Sequence, residues 1–266
     1  MKTPSFLILS TMVLAAPTAS ASIVLYSSSF GGSSGTNLNG TALTTSGATG
    51  AQHALYGTSA SATWSAATAF KADGSFADGG TDTTSRSSAT IAFTPQNGYV
   101  YQMQMTTNLA DNLTSDPFHL VGFFMASGYT GNPNAAGGAT VWALTRPGTP
   151  TIADQVAHFA LAGGAGNVGQ LAEDSTAPST LRITLDTTGG TGNWSATYHV
   201  GNGSGGFNLL GSVADLGAVD IESVGIGVYN RDFAHNFQSF ELSVIPEPST
   251  AILGGLGFVV LLRRRR

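Results

Sequence analysis

Short runs in which apolar and polar residues alternate recur along this 266-residue chain, and helical periodicity is nearly absent. In the run 99–105 the odd positions hold tyrosines and methionines, whereas two of the three even positions hold glutamine. One buried face and one solvent-exposed face are typical of a strand in an antiparallel sheet. Gly, Asn, Asp, Ser or Pro bounds each run, as expected for strands joined by turns. We predict strands at 23–26, 64–70, 90–93, 99–105, 118–125, 140–144, 156–161, 181–185, 194–200, 207–210, 224–229 and 237–244.

About a dozen strands without helices between them predict an all-β chain with two packed antiparallel sheets or a barrel. The run 181–185 and the run 194–200 are joined by a loop rich in Thr and Gly, so we predict that they form a hairpin. No linker of distinct composition and no fixed repeat divides the chain. We therefore expect a single β domain.

Charge and cysteine usage narrow the classes of function. Between residues 22 and 245 there are fourteen acidic and only five basic side chains, with no basic cluster. Nucleic-acid binding depends on clustered Lys and Arg, so that class is excluded. There is no cysteine, so the stability of the domain must come from its core.

The N-terminus has the three parts of a secretory signal peptide in the correct order. Lys2 supplies the positive charge, 6–16 is apolar, and Ala19 and Ala21 form an A-x-A cleavage site. We predict a signal peptide over 1–21, passage through the export translocon, and a mature chain from about residue 22.

The C-terminus combines a Pro-Glu-Pro tripeptide (Pro246, Glu247 and Pro248), an apolar run over 251–262 and four arginines, Arg263, Arg264, Arg265 and Arg266. Arginines beside an apolar segment stay on the cytoplasmic side of the membrane. The fourteen residues 249–262 would span about 21 Å as a helix, less than a hydrocarbon core of roughly 30 Å. We therefore expect a short transmembrane helix suited to transient insertion, with the domain outside.

This arrangement resembles the PEP-CTERM sorting signal of bacterial exported proteins. The resemblance covers about the last twenty-three residues and divides the chain into a domain over 22–243 and a sorting signal over 244–266. It implies recognition by an exosortase, a membrane transpeptidase that cuts near the tripeptide. It also implies that the product is released or attached to the cell surface, often beside exopolysaccharide.

A second resemblance covers about thirty residues of the domain. The segments 181–186 and 194–198, with a glycine turn between them, are similar to the central strands of concanavalin-A-like and laminin-G-like jelly rolls. This similarity implies a two-sheet antiparallel β-sandwich of the jelly-roll type.

No motif indicates catalysis. The G-x-G-x-x-G match at 164–169 precedes a loop that contains Pro178, whereas a dinucleotide site requires a helix there. None of the five histidines has zinc-ligand spacing, and His158 and His199 are most simply strand residues. No strand carries the alternating acids that we expect of a strand-borne glycoside hydrolase. We expect no catalytic residue and no cofactor.

Two binding sites remain open. Asp73 in the pair Asp73-Gly74, and Asp78 and Asp82 at the two ends of the segment 78–82, could hold a structural calcium, although Asp-Gly pairs are also ordinary turn formers. Polar loops with nearby aromatics could bind a glycan, although tryptophans in sandwiches are more often core residues. The candidate glycan-binding residues are Tyr129, Asn132, Trp142, Asn230 and Asp232.

Three hypotheses follow from the sequence. The first is a non-catalytic surface or matrix protein processed by an exosortase and associated with exopolysaccharide. The second is a carbohydrate-binding module, and the third is a glycan-processing hydrolase.

Overall fold

Thirteen strands and one short helix make up the described part of the chain, in a computed structural model that describes residues 21–76, 86–108, 118–133, 138–146, 155–160, 179–201, 204–217, 219–229 and 235–246. The elements are β1 Ile23–Ser28, α1 Gly50–Leu55, β2 Ser65–Ala66, β3 Ser75–Phe76, β4 Arg86–Ala92, β5 Val100–Asn108, β6 Phe118–Phe124, β7 Ala139–Arg146, β8 Gln155–Ala160, β9 Ser179–Asp186, β10 Ser195–Gly201, β11 Phe207–Val213, β12 Ser223–Tyr229 and β13 His235–Ile245.

The strands form two sheets, and every strand pair is antiparallel. The seven-stranded sheet has the order β1-β13-β5-β9-β10-β11, with β3 paired to β13. The six-stranded sheet has the order β2-β4-β12-β6-β7-β8. The prediction of an all-β chain with two antiparallel sheets is therefore confirmed, as is the β9–β10 hairpin. The jelly-roll assignment stays a prediction.

The core lies between the sheets because alternate residues of their strands point inward. In β5 the buried apolar residues are Tyr101, Met103 and Met105, and in β9 they are Leu181, Ile183 and Leu185. The six-stranded sheet contributes Val and Ile positions of β12 together with Phe123 of β6 to the same cluster. The alternation in sequence is thus the alternation of core and outer face.

The predicted strand over 64–70 is mostly wrong, because only Ser65 and Ala66 pair with β4. The chain then turns, and the N–H of Phe70 donates to the carbonyl of Ala67 at 3.0 Å. Trp64 and Phe70 are each 1% exposed. Their apolar character therefore reflects core packing from the residues on either side of β2, not membership of one continuous strand.

The helix α1 was not predicted, although its start has a readable signal. The Thr49 hydroxyl accepts from the N–H of Gln52, and the Gln52 side chain accepts from the N–H of Thr49 at 2.8 Å. This is a capping box, in which Ser or Thr is followed three residues later by Glu or Gln. A helix of six residues is too short to show apolar periodicity.

The last strand, β13, is an interior strand with β1 on one side and β5 on the other. Its pairing ends with Ile245 opposite Val100, and Pro246 follows outside the ladder. Proline has no N–H to donate, so it is a natural end for a strand inside a sheet. Within the described ranges, no helix has the length and apolar character needed to cross a membrane. The predicted signal peptide, apart from Ala21, and the chain from Glu247 lie outside the described residues.

Candidate functional site

A line of polar side chains crosses the outer face of the seven-stranded sheet. It consists of Glu241 on β13, Gln104 on β5, Arg182 on β9 and His199 on β10, and we call these four residues the polar row. Glu241 is opposite Gln104, Gln104 is opposite Arg182, and Arg182 is opposite His199. Because neighbouring strands are about 4.8 Å apart, the polar row is about 14 Å long.

The folding of these four strands forces the polar row outward. In β9 and β10 each neighbour of Arg182 and His199 along the chain is a buried apolar residue. Successive side chains of a strand point to opposite faces, so burying the apolar set places Arg182 and His199 on the outer face. All four side chains of the polar row are half-buried there.

Arg182 is the best-anchored member of the polar row. Its Nη2 donates to Oε1 of Gln104 at 3.0 Å, and its Cζ lies 3.4 Å from the ring centroid of Phe207, the first residue of β11. A guanidinium over an aromatic face is a favourable cation–π contact. The guanidinium is therefore held between an amide and a ring.

Charge and burial act together on the polar row. Burial lowers the pKa of the Arg182 guanidinium from its ordinary value, and the charge of Glu241 opposes that shift. Burial also lowers the pKa of His199, and the positive charge of Arg182 lowers it further. Both effects favour the neutral form of His199.

Two nitrogens of the polar row are buried without a hydrogen-bond partner in the described part of the chain, Nε of Arg182 and Nδ1 of His199. A buried polar atom without a partner is uncommon in folded proteins and costs free energy. Because Arg182 and His199 form one cross-strand pair, the two unpaired nitrogens belong to the same part of the face.

The pKa of His199 makes a testable prediction about stability. The folded state binds a proton on His199 less readily than the unfolded chain does, whose histidine pKa is about 6.5. Stability contributed by neutral His199 is therefore present above that value and is lost as the pH falls below it. Urea unfolding of the wild type and of His199→Gln at pH 5 and pH 7 should show the wild type losing more stability at pH 5. An equal loss in both proteins would contradict the prediction.

Among the residues predicted to bind a glycan, the structure brings Tyr129, Asn132 and Trp142 to the outer side of the six-stranded sheet. Trp142 is 9% exposed and stacks on Phe118 with ring centroids 6.5 Å apart. Tyr129 is half-buried, packs against the same apolar cluster, and donates its hydroxyl to the carbonyl of Asn132 at 2.6 Å. Asn230 and Asp232 lie outside the described residues.

Among the residues predicted to bind calcium, only Asp73 is described. Its Oδ1 accepts from the N–H of Ser75 at 3.0 Å and from the Ser75 hydroxyl at 2.6 Å. These bonds lower the pKa of the Asp73 carboxyl, and they close a local turn. Asp78 and Asp82 lie outside the described residues. Within the described ranges, no group of three or more His, Asp or Glu side chains is close enough to hold a metal ion.

His53 and His119 have structural partners. His53, 1% exposed, has its Nδ1 2.8 Å from the Thr58 hydroxyl and its Nε2 3.3 Å from the carbonyl oxygen of Thr45. His119 on β6 is hydrogen-bonded to Thr107 and stacks on Phe237 with centroids 4.5 Å apart. His158 and His199 lie in β8 and β10, so the prediction that both are strand residues is confirmed.

Comparison by sequence finds no relative, because no family model and no curated protein matches this chain. Among solved structures, the carbohydrate recognition domain of Emp47p is similar at 12% identity and a TM-score of 0.41, over 60% of this chain and 79% of that one. Peanut lectin has 12% identity and a TM-score of 0.38, over 62% and 82%.

A GH43 protein, BlXynB from Bacillus licheniformis, has 10% identity and a TM-score of 0.37, over 57% of this chain and 29% of that one. This chain therefore matches less than a third of the GH43 chain. At such identities and scores, these similarities assign neither a ligand nor an activity to this chain.

Proposed function

We propose that this chain is an exported, non-catalytic surface protein whose C-terminal segment holds it at the inner membrane until an exosortase cuts it near Pro246–Pro248. The observation that carries this proposal is the position of the tripeptide relative to the fold. The sandwich is finished at Ile245, the last residue of β13, and Pro246 is the next residue.

A cut at the tripeptide would leave the described fold whole. Every pairing of β13 with β1 and β5 lies at or before Ile245. A cut a few residues upstream would instead remove residues that an interior strand uses on both sides. The tripeptide is thus placed where cleavage is compatible with a stable product.

The chemistry of the segment favours the same arrangement. Two prolines keep the backbone around Glu247 extended and out of a helix. The run 251–262 is apolar and is followed by Arg263, Arg264, Arg265 and Arg266, which favour the cytoplasmic side. The domain would then face outward, where it is released or held among exopolysaccharide.

Processing is tested by mass spectrometry of the protein isolated from a host that carries an exosortase. We expect the mature chain to begin near residue 22 and to end near Pro246–Pro248. Replacing Glu247 with alanine should leave most of the protein uncut, because the charged residue of the recognised tripeptide is lost.

The arginine cluster provides a matched control for that measurement. Changing Arg263–Arg266 to four lysines keeps the charge that sets orientation and should preserve processing, whereas four alanines should reduce it. A purified wild-type protein that still contains Arg266 would contradict the proposal. So would a reporter inserted before Pro246 that is found in the cytoplasm.

A further inference from the structure

We propose that the polar row is a binding site for a neutral, hydroxyl-rich ligand, namely an oligosaccharide that lies across the strands β13, β5, β9 and β10. This proposal concerns the outer face of the domain and is independent of how the C-terminal segment is processed.

The hydrogen-bonding groups of the polar row match hydroxyl groups. Arg182 only donates, Glu241 only accepts when ionised, and the amide of Gln104 does both. A hydroxyl group also donates and accepts, so a polyol can pair with each of these in turn. A carboxylate or phosphate ligand only accepts; it could pair with Arg182 but would also meet the negative charge of Glu241, whereas a neutral hydroxyl meets no such repulsion.

The two unpaired nitrogens point to the same class of ligand. Nε of Arg182 carries a hydrogen and needs an acceptor, while neutral His199 offers at Nδ1 a donor or an acceptor according to its tautomer. A hydroxyl satisfies either one. These nitrogens are buried and belong to one cross-strand pair, so a rotation of the Arg182 or His199 side chain that presents its nitrogen to a ligand hydroxyl would remove an existing energetic cost.

Beyond His199, the neighbouring strand β11 presents apolar side chains. Leu209 is directly opposite His199 and is 60% exposed, and Phe207 lies two residues away against Arg182. Leu210 is buried, so its neighbour Leu209 points to the outer face. Sugar rings present both hydroxyl edges and apolar C–H faces, and this combination of polar and apolar surface suits them.

The length of the site favours a chain of sugars over a single ring. The polar row is about 14 Å long, and β11 adds one more strand spacing of about 4.8 Å. A monosaccharide would contact only part of it. The ligand is therefore expected to be a short oligosaccharide or a segment of a polysaccharide.

Isothermal titration of the exported protein with neutral hexasaccharides of glucose and of xylose tests the proposal, with oligogalacturonate as the acidic comparison. We expect at least one neutral hexasaccharide to bind with a Kd of about 1 mM or lower, and oligogalacturonate to bind more weakly.

The Gln104→Ala variant should weaken binding about three- to tenfold, the worth of one hydrogen bond. Arg182→Lys keeps the charge but loses the planar fork, so it should weaken binding at least as much.

Gln102→Ala is the matched control, because Gln102 lies on the same strand and face, is also half-buried, and belongs to the neighbouring row opposite Thr184. Its binding should change less than about twofold, below the worth of one hydrogen bond. Thermal unfolding of each variant checks that the fold is retained.

The proposal is overturned if no neutral hexasaccharide binds at 10 mM, roughly the weakest useful range. It is also overturned if only the acidic oligomer binds, or if folded Gln104→Ala and Gln102→Ala variants bind equally.

Discussion

Replacing Phe240 with alanine is expected to lower the free energy of unfolding by about 3–5 kcal/mol. Phe240 on β13 is 1% exposed, and its ring meets Trp64 edge to face with centroids 5.2 Å apart. Trp64 directly precedes β2 of the six-stranded sheet. The contact therefore joins the two sheets, and deleting the ring leaves a cavity between them in addition to the lost apolar burial.

Urea unfolding followed by tryptophan fluorescence measures this effect, and Trp64 is one of the three tryptophans that contribute to the signal. Phe240→Leu is the control, because it keeps most of the apolar volume and should cost clearly less than Phe240→Ala. A Phe240→Ala protein as stable as the wild type would show that the sheets do not pack through this ring.

The parts of the fold that the sequence predicts are those encoded by local alternation. Over 101–105 in β5 and 181–185 in β9 every second residue is large and apolar, and the core buries these residues. A shift of one residue would expose the whole apolar set, so the sequence determines the face of each strand. The antiparallel two-sheet arrangement follows from that pattern.

The pairing of distant strands is not encoded locally. Arg182 can be assigned to an outer face from its neighbours, but its position opposite Gln104, 78 residues earlier, depends on which strands become adjacent. The same is true of Glu241, which appears isolated in its own strand. The polar row exists only across four strands, so no single segment predicts it.

The sequence is also ambiguous where apolar residues outside a strand pack into the core, because their pattern resembles that of a strand. Trp64 and Phe70 resemble strand residues because they are apolar and lie in one run, yet they enter the core from the residues on either side of the two-residue strand β2. The composition around Tyr129 and Trp142 likewise predicts an aromatic loop. It does not show whether these rings pack in a small apolar cluster or are exposed to bind a ligand. Both cases require the tertiary contacts of the side chain.

Replacing Gly57 with alanine is expected to lower the free energy of unfolding by roughly 2–4 kcal/mol, the sum of backbone strain and steric overlap. Gly57 follows α1 with φ of 72°, a conformation that disfavours any residue with a Cβ. The N–H of Thr58 donates to the carbonyl of His53 at 2.9 Å, as at a helix C-terminus closed by glycine. A Cβ on Gly57 would lie 1.7 Å from the carbonyl oxygen of Thr94, so the backbone would have to move.

Alanine variants at two other glycines separate the cost of backbone strain from the cost of steric overlap. Gly40 has φ of 77° but nothing within 4 Å of an added Cβ, so Gly40→Ala should cost only about 1 kcal/mol from the backbone. Gly50, the first residue of α1, has neither feature, and Gly50→Ala should gain up to about 1 kcal/mol by restricting the unfolded chain. Urea unfolding of the three variants should give this order, and the difference between Gly57→Ala and Gly40→Ala measures the contact with Thr94. Equal losses for those two variants would mean that the chain near Thr94 gives way freely, and that the left-handed backbone alone explains why glycine is needed at position 57.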